Sequence, residues 1–500
     1  MMSARRPRGI LLADLTHELA APMLPGIEVE GLAMDSRHVQ AGFAFLAVQG
    51  SRGHGATHAG EAVARGATVI LSDQHAPPIA AGVPVLVVPD LRRHVSGIAG
   101  RFYGDPSQTM DIIAVTGTNG KTTVSHLLAE VLEQYWGRPC GYIGTLGHGQ
   151  VGAIEAGDLT TPDPIAAQAL LAEFHAKGVR NLVLEASSHA LDQWRLDGVR
   201  IHTGVFTNLS RDHLDYHGSM VAYANAKKRL FDLDGVATAV LNLDDPIGRE
   251  WQQELSARLQ CWTFSADGAP ARELGLRHVH VERVAERADG SQLRIHCVYG
   301  SAPIETAFVG LHNASNIAAV SAAALASGVT FERLLTALAR ARPAAGRLQR
   351  IGSARPAVFV DYAHSPDALE KVLRALKGLT QGRLWCVFGC GGDRDAGKRP
   401  LMGELAERFA DHVVITNDNP RSESPQAIAA QILAGMRQPQ AARIEFDRRA
   451  AIAFVLHAAR RDDVILVAGK GHERAQRIGA QVLPFSDAEV VAELQAEMQP

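Results

Sequence analysis

The 500-residue chain has few aromatic residues, five scattered cysteines and no excess of either charge. Each shortage excludes a class of protein. Cys140, Cys261, Cys297, Cys386 and Cys390 are odd in number and form no C-x-x-C pair. Neither a disulfide framework nor a structural zinc site is therefore expected, and Cys386 and Cys390 read as packing residues. A net charge of −3 provides no basic face for nucleic acid. No uninterrupted apolar run is long enough to span a membrane. The first residues, MMSARRPRGILLADLTHELAAP, start like a signal peptide, but Asp14, His17 and Glu18 break the apolar stretch and no small-residue cleavage site follows. The expected compartment is a reducing cytoplasm. Short-period repeats and low-complexity segments are also lacking.

What is present is an ordinary globular composition, 46% apolar and 21% charged, in a chain too long for one core. Short strands and Ala-rich helical pieces alternate over the first hundred residues, with strands at Phe43–Val48, Thr68–Ser72 and Val83–Val88 and a helix over Asp90–Tyr103. Gly104-Asp105-Pro106 reads as a linker. A second unit carries strands from Ile112, at Asn181–Glu185, Thr203–Thr207 and Ala237–Leu241, each near a helical pattern, as in a βαβ fold. Val279–Val284, Gln292–Val298 and Ile304–Val309 read as antiparallel strands of a small subsidiary sheet, closed by a helix over Asn316–Ser327. After Arg342-Pro343, strands at Ala357–Val360, Leu384–Phe388, His412–Thr416, Arg443–Phe446 and Val464–Ala468 alternate with four helices. The expected fold class is α/β: three α/β domains in series, the central one with a P-loop-type, mostly parallel sheet.

Ile112–Glu130, IIAVTGTNGKTTVSHLLAE, carries the strongest chemical signal. A β-branched strand stops at a Gly/Asn turn, and Val124, Leu127, Leu128 and Val131 then form one face of a helix. Gly117 and Gly120 let backbone N–H groups approach a polyphosphate, Lys121 supplies a point charge and Thr122 a hydroxyl for Mg²⁺. The usual G-x-x-x-x-G-K-[ST] spacing places a glycine where this chain has Val115. A nucleoside triphosphate is the expected ligand. Glu185, which closes an apolar strand, is the candidate metal-binding acid, and His213, in the polar stretch SRDHLDYHG, is a second candidate ligand. Thr160 and Thr161, at a helix start, read from composition alone as N-caps. Lys227 reads as part of a solvated helix face. Arg421 and Arg394, in turns that follow strands of the third unit, offer planar forks suited to carboxylates. Gly392–Arg399 imitates a phosphate loop but ends in Arg, so it reads as a substrate-binding turn.

TGTNGKTT, TTPD, EASSHALDQWR, FTNLSRDHLDYHG, GLHNASN, GRLQR, VDYAHSPDALEK, FGCGGDRDAGKRPLM, NDNPR and AGKGHE occur in order over nearly the whole chain. Together they resemble the Mur ligase family, ATP-dependent amino-acid ligases of peptidoglycan precursor synthesis. The resemblance is weakest in the first hundred residues. It implies a UDP-muramoyl substrate-binding domain over 1–106, a central ATPase domain over 107–342 and a Rossmann-like, amino-acid-binding domain over 343–500. It also makes Val115 a mark of the family's shortened phosphate loop. The implied reaction adds meso-2,6-diaminopimelate to UDP-N-acetylmuramoyl-L-alanyl-D-glutamate, with Mg²⁺ as cofactor and ATP as co-substrate.

Residue by residue, the resemblance implies that Gly117, Thr118, Asn119, Gly120, Lys121, Thr122 and Thr123 hold the triphosphate. Thr122, Glu185, His213 and Lys227 (as a carbamate) would bind Mg²⁺. Asn313 and Asn316 match positions near adenine, and Arg347 and Asp361 match contacts to phosphate and ribose. Thr160, Thr161, Ser187, Gln193 and Arg195 match positions that hold the muramoyl dipeptide. Met34, Ser36 and Ser51–Gly53 match the uridine-nucleotide site, where Ser51-Arg52 departs from a more familiar His-Gln. Arg394, Asp418, Asn419, Pro420, Arg421, Gly469 and Glu473 match the diaminopimelate site, DNPR marking the diaminopimelate type. A lysine-adding ligase of the same family and a P-loop switch or motor remain as alternatives, and a folate polyglutamate ligase is the nearest enzymatic cousin. The expected partners are small molecules, with no nucleic acid and no membrane insertion, and the chain is expected to be a monomer.

Overall fold

A computed structural model describes residues 9–19, 26–50, 53–74, 83–267, 277–353 and 356–498. Its strands form three main sheets, each with helices against it. In the first, Gly31–Ala33, Phe43–Ala47, Val69–Ser72 and Val85–Val87 lie parallel and in chain order. Runs such as FAFLA and VILS are apolar almost throughout because both faces of the sheet are covered. Helix Leu91–Phe102 packs Leu91, Val95, Ile98 and Phe102 into this core.

The central sheet has eleven strands. Its parallel part runs Cys140–Gly144, Asn181–Glu185, Asp111–Thr116, Thr203–Phe206, Thr238–Asn242 and Gln260–Ser265 in spatial order. Asp111–Thr116 therefore sits between strands that follow it in the chain, which places its C-terminal end at a switch point where ligands bind in such sheets. Val115 is fully buried in that strand, paired with Glu185 and Val205. Helix Lys121–Trp136 lies on one face beside Leu311–Ala326, an alanine-rich helix buried along most of its length.

The three antiparallel strands lie at His278–Arg287, Gly290–Cys297 and Gly300–Thr306. They continue the edge of the central sheet, because Thr263–Ser265 pairs in parallel with His278–His280. The third strand lies earlier than the expected Ile304–Val309. A turn at Val298-Tyr299 precedes it, and Gly310 caps a helix that begins at Leu311, five residues before the expected start.

In the third sheet the order is Gln349–Ile351, Ala357–Asp361, Val464–Ala468, Leu384–Phe388, His412–Ile415 and Arg443–Ile444, parallel except for the first strand. The last helix, Asp487–Glu497, is pinned here by a wholly buried ion pair. Arg448 donates from Nε to Asp487 at 2.7 Å and from Nη2 to the Ala468 carbonyl at 2.9 Å. Among the described residues, no helix is long and apolar enough to cross a membrane.

Candidate active site

The loop between strand Asp111–Thr116 and helix Lys121–Trp136 depends on its glycines. Gly117 has φ +146°, and a Cβ there would lie 1.9 Å from Thr207 Oγ1. Gly120 has φ +86°, with Asn316 Oδ1 at 2.4 Å from the same added atom. The loop is tied to the next strand's end: Thr118 N–H donates to Asn208 O (2.8 Å), and Thr207 Oγ1 donates to Asn119 O (2.6 Å). Lys121 arches back and donates to the carbonyls of Gly117 (2.9 Å) and Thr118 (3.0 Å). Thr123 is buried in the first turn of the helix.

Lys227 is not on a solvated face. It is 1% exposed at the end of helix Met220–Lys228, and its ammonium donates to the same Gly117 carbonyl at 2.8 Å. Burial drives its pKa well below the usual lysine value, and the charge of Lys121 adds to the shift. Lys228, its neighbour, faces outward and pairs with Glu254.

Glu185 is fully buried at the end of its strand. Its carboxylate accepts from Tyr142 OH (2.7 Å), Thr145 N–H (2.9 Å), Thr145 Oγ1 (3.0 Å) and Thr122 Oγ1 (3.1 Å). Thr122 Oγ1 also accepts from Arg347 Nη2 at 2.8 Å, so a residue of the third unit reaches the phosphate loop. Two hard-oxygen donors, Thr122 and Glu185, thus meet at the loop, which suits Mg²⁺. An ammonium has no lone pair and a neutral amine is a poor ligand for a hard cation that takes oxygen, so Lys227 would join them as a carbamate.

His213 has φ 53° at the start of the short helix Leu214–His217. Its neighbours are Asp212, 3.5 Å away, and the rings of His189 and Tyr223. Among the described residues, no three His, Cys, Asp or Glu side chains form a group that could hold a metal.

The five residues expected at a dipeptide form one connected string. Thr161 Oγ1 donates to the Glu185 carbonyl (2.6 Å) and accepts from Ser187 N–H (3.0 Å). Arg195 Nη1 donates to the Thr161 carbonyl (2.8 Å), and its Nη2 donates to Gln193 Oε1 (2.8 Å). Thr160 Oγ1 lies 3.1 Å from Thr145 Oγ1. Neither threonine caps the following helix; Asp163 does, accepting from Ile165 and Ala166 N–H at 3.0 Å. The composition-based N-cap reading of Thr160 and Thr161 is therefore corrected, because the helix begins at Pro164 and its cap is the preceding Asp163.

On the third sheet, burial pushes the Asp361 carboxyl up to about 6, while Leu348 and Ala363 N–H groups donate to its two oxygens. Asn313 and Asn316 are buried and joined by a 3.1 Å bond at the start of helix Leu311–Ala326. Asp418, Asn419, Pro420 and Arg421 form a turn just past strand His412–Ile415. Gly469, at φ +112°, lets Asp418 come so close that an added Cβ would sit 2.6 Å from its Oδ2. Arg421 stands at φ 52° and donates from Nη1 to the Gly392 carbonyl at 2.7 Å. Asn419 Nδ2 donates to Glu473 Oε2 at 2.9 Å. Arg394 is exposed in the glycine-rich turn on the same side. In the first unit, Ser36 Oγ donates to Glu61 at 2.8 Å and Met34 packs against the core. Ser51 and Arg52 lie outside the described residues.

Three family profiles match in series: Mur ligase family, catalytic domain, over 28–103; Mur ligase middle domain over 115–324; and Mur ligase, glutamate ligase domain, over 346–471. Two curated relatives carry the name UDP-N-acetylmuramoyl-L-alanyl-D-glutamate--2,6-diaminopimelate ligase. The one from Alkalilimnicola ehrlichii is 45% identical and covers 94% of this chain and 95% of its own. The one from Ectopseudomonas mendocina is 46% identical over 92% and 94%. The chain belongs to the Mur ligase family. A solved structure with the same ligase name superposes with a TM-score of 0.71 at 34% identity, covering 99% of this chain and all of that one.

Several functional candidates of this Mur ligase escape sequence reasoning. Tyr142 and Thr145, which hold Glu185, lie on a strand and turn without a motif. Asp367 accepts from Asn119 Nδ2 (2.5 Å) and Ser210 Oγ (3.0 Å), joining the third unit to the phosphate loop. Its signal was its place in VDYAHSPDALEK, a carboxylate in the first turn after a Ser-Pro helix start, although the motif assigned it no role. Arg399, the last residue of the imitation loop, is fully buried against Glu423 and Gln431, so it braces that turn.

Proposed function

We propose that this Mur ligase joins meso-2,6-diaminopimelate to UDP-N-acetylmuramoyl-L-alanyl-D-glutamate, converting ATP to ADP and phosphate through an acyl phosphate. The observation that carries the reading is Arg421 in the Asp418–Arg421 turn, beside Gly469 and Glu473. Diaminopimelate exceeds lysine by one carboxylate, and a guanidinium fork is the natural partner for it. The name borne by relatives about 45% identical supports the same substrate.

In this reading the triphosphate lies over Gly117–Thr123, its adenine near Asn313 and Asn316 and its ribose and phosphates near Asp361 and Arg347. Thr160, Thr161, Ser187, Gln193 and Arg195 orient the dipeptide, while Met34 and Ser36 serve the uridine end. The D-glutamyl carboxylate attacks the γ-phosphorus, and Lys121 and the loop amides offset the charge that develops. Thr122, Glu185, His213 and Lys227 as a carbamate would hold Mg²⁺, which supplies positive charge to the phosphate oxygens when bound. Lys227 suits carbamate formation because burial favours its neutral amine. The amine of diaminopimelate, held by Arg394, Asp418–Arg421, Gly469 and Glu473, then attacks the acyl carbon and expels phosphate. Activation is needed because forming an amide from a free carboxylate is uphill in water.

Residues 1–106, 107–342 and 343–500 serve as nucleotide-sugar, ATPase and amino-acid domains of a cytoplasmic monomer. Phosphate release with UDP-muramoyl-dipeptide and either diaminopimelate or L-lysine tests the proposal. Turnover with diaminopimelate alone is expected. Preference for lysine, or ATP hydrolysis without the muramoyl substrate, would overturn it.

A further inference from the structure

Lys470 is wholly buried, yet nothing in the reaction above employs it. It follows strand Val464–Ala468, inside the turn that holds Gly469 and Glu473. Its ammonium has three donors and meets three acceptors: Glu473 Oε2 at 2.7 Å, the Ala475 carbonyl at 2.7 Å and Asn419 Oδ1 at 3.2 Å. Asn419 closes the ring by donating from Nδ2 to the same Glu473 Oε2 at 2.9 Å. The amide of Asn419 is thereby oriented, oxygen toward the cation and nitrogen toward the carboxylate. Both side-chain bonds to Glu473 fall on Oε2, which leaves Oε1 for a ligand.

The same domain contains a buried cation of another kind. Arg448 pairs with Asp487, and both side chains are 0% exposed, so that pair braces the fold. Lys470 differs because Glu473 is 32% exposed and Asn419 belongs to the turn that carries Arg421. One hidden charge therefore ties together two segments of the amino-acid site proposed above. Burial alone would raise the Glu473 carboxyl, but the charge and hydrogen bond of Lys470 and the Asn419 amide bring it below its ordinary value.

We propose that Lys470 is a positioning residue for the amino-acid site, fixing Glu473 and the Asp418–Arg421 turn in the spacing that distinguishes diaminopimelate from lysine. This inference rests on the substrate reading above. Lys470→Met keeps the length and apolar stem but removes the charge and donors. Steady-state kinetics should show KM for diaminopimelate raised about tenfold or more, with KM for ATP and for the muramoyl substrate within about twofold. The preference for diaminopimelate over lysine should narrow, and Lys470→Arg, which keeps the cation, should recover part of it. An unchanged diaminopimelate KM would overturn the inference while leaving the function intact. So would a rise in all three KM values together, which marks a scaffold residue. If Lys470→Met does not fold, Lys470→Gln, which keeps two donors, carries the same comparison. A parent enzyme that ligates neither amino acid sinks the substrate reading first, and this inference with it.

Discussion

At the scale of single residues, Arg421 and Asp361 make the sharpest claims. Arg421 holds φ 52°, a conformation that glycine adopts without penalty. Arg421→Gly should therefore remove the guanidinium without straining the turn. Diaminopimelate use should fall roughly 30-fold or more, equivalent to losing one charge-assisted hydrogen bond of ~2 kcal/mol. Kinetics with each substrate varied in turn would check this, and equal losses on ATP would refute a selector role. Asp361 has its carboxyl raised from 3.8 to about 6 by burial. Between those values the folded protein keeps a proton that the unfolded chain has released, so this group's contribution to stability declines as pH rises through the window. Nucleotide binding should run the other way. KM for ATP is expected to rise as pH drops below about 6, where the protonated carboxyl is a poorer acceptor for ribose hydroxyls. In Asp361→Asn that pH dependence should be absent. The chemistry of Gly117–Thr123 was legible because consecutive residues supply it. The surroundings of Glu185 were not, since Tyr142 and Thr145 reach it from a neighbouring strand.

At the scale of elements, the strands buried on both faces were the most readable. Asn181–Glu185, Leu384–Phe388 and Val464–Ala468 lie where their apolar runs place them. Exposed elements carry no such pattern, and the hairpin Ala475–Ile478 with Gln481–Pro484 has mostly exposed residues. Yet it holds the Asp418–Arg421 turn: Arg421 N–H donates to Arg477 O (3.1 Å), and Gly479 N–H donates to Arg421 O (2.7 Å). The Arg448–Asp487 pair was likewise hidden, because a long-range partner leaves no local signature. Arg448→Met strands a buried carboxylate and should lower stability by ~3–5 kcal/mol. Chemical denaturation would measure this, and the double variant R448M/D487L should recover most of the loss. A single variant as stable as the parent would mean that the pair does not brace the helix.

At the scale of the whole molecule, the phosphate loop and the third unit meet through Asn119–Asp367, Ser210–Asp367 and Thr122–Arg347. ATP held between Gly117–Thr123 and Arg347–Asp361 would draw the two units together. X-ray scattering should give a more compact particle with an ATP analogue and the muramoyl substrate than without them. A single shape under both conditions would refute closure. The sequence by itself determined that this chain grips a triphosphate and carries an arginine suited to a second carboxylate, because strand, loop and helix are encoded by neighbours. Only the tertiary structure decided which groups converge there. It buried Glu185 and Lys227 at the loop and brought Asp367 to Asn119 across 248 residues of chain, where no local pattern could foretell the meeting.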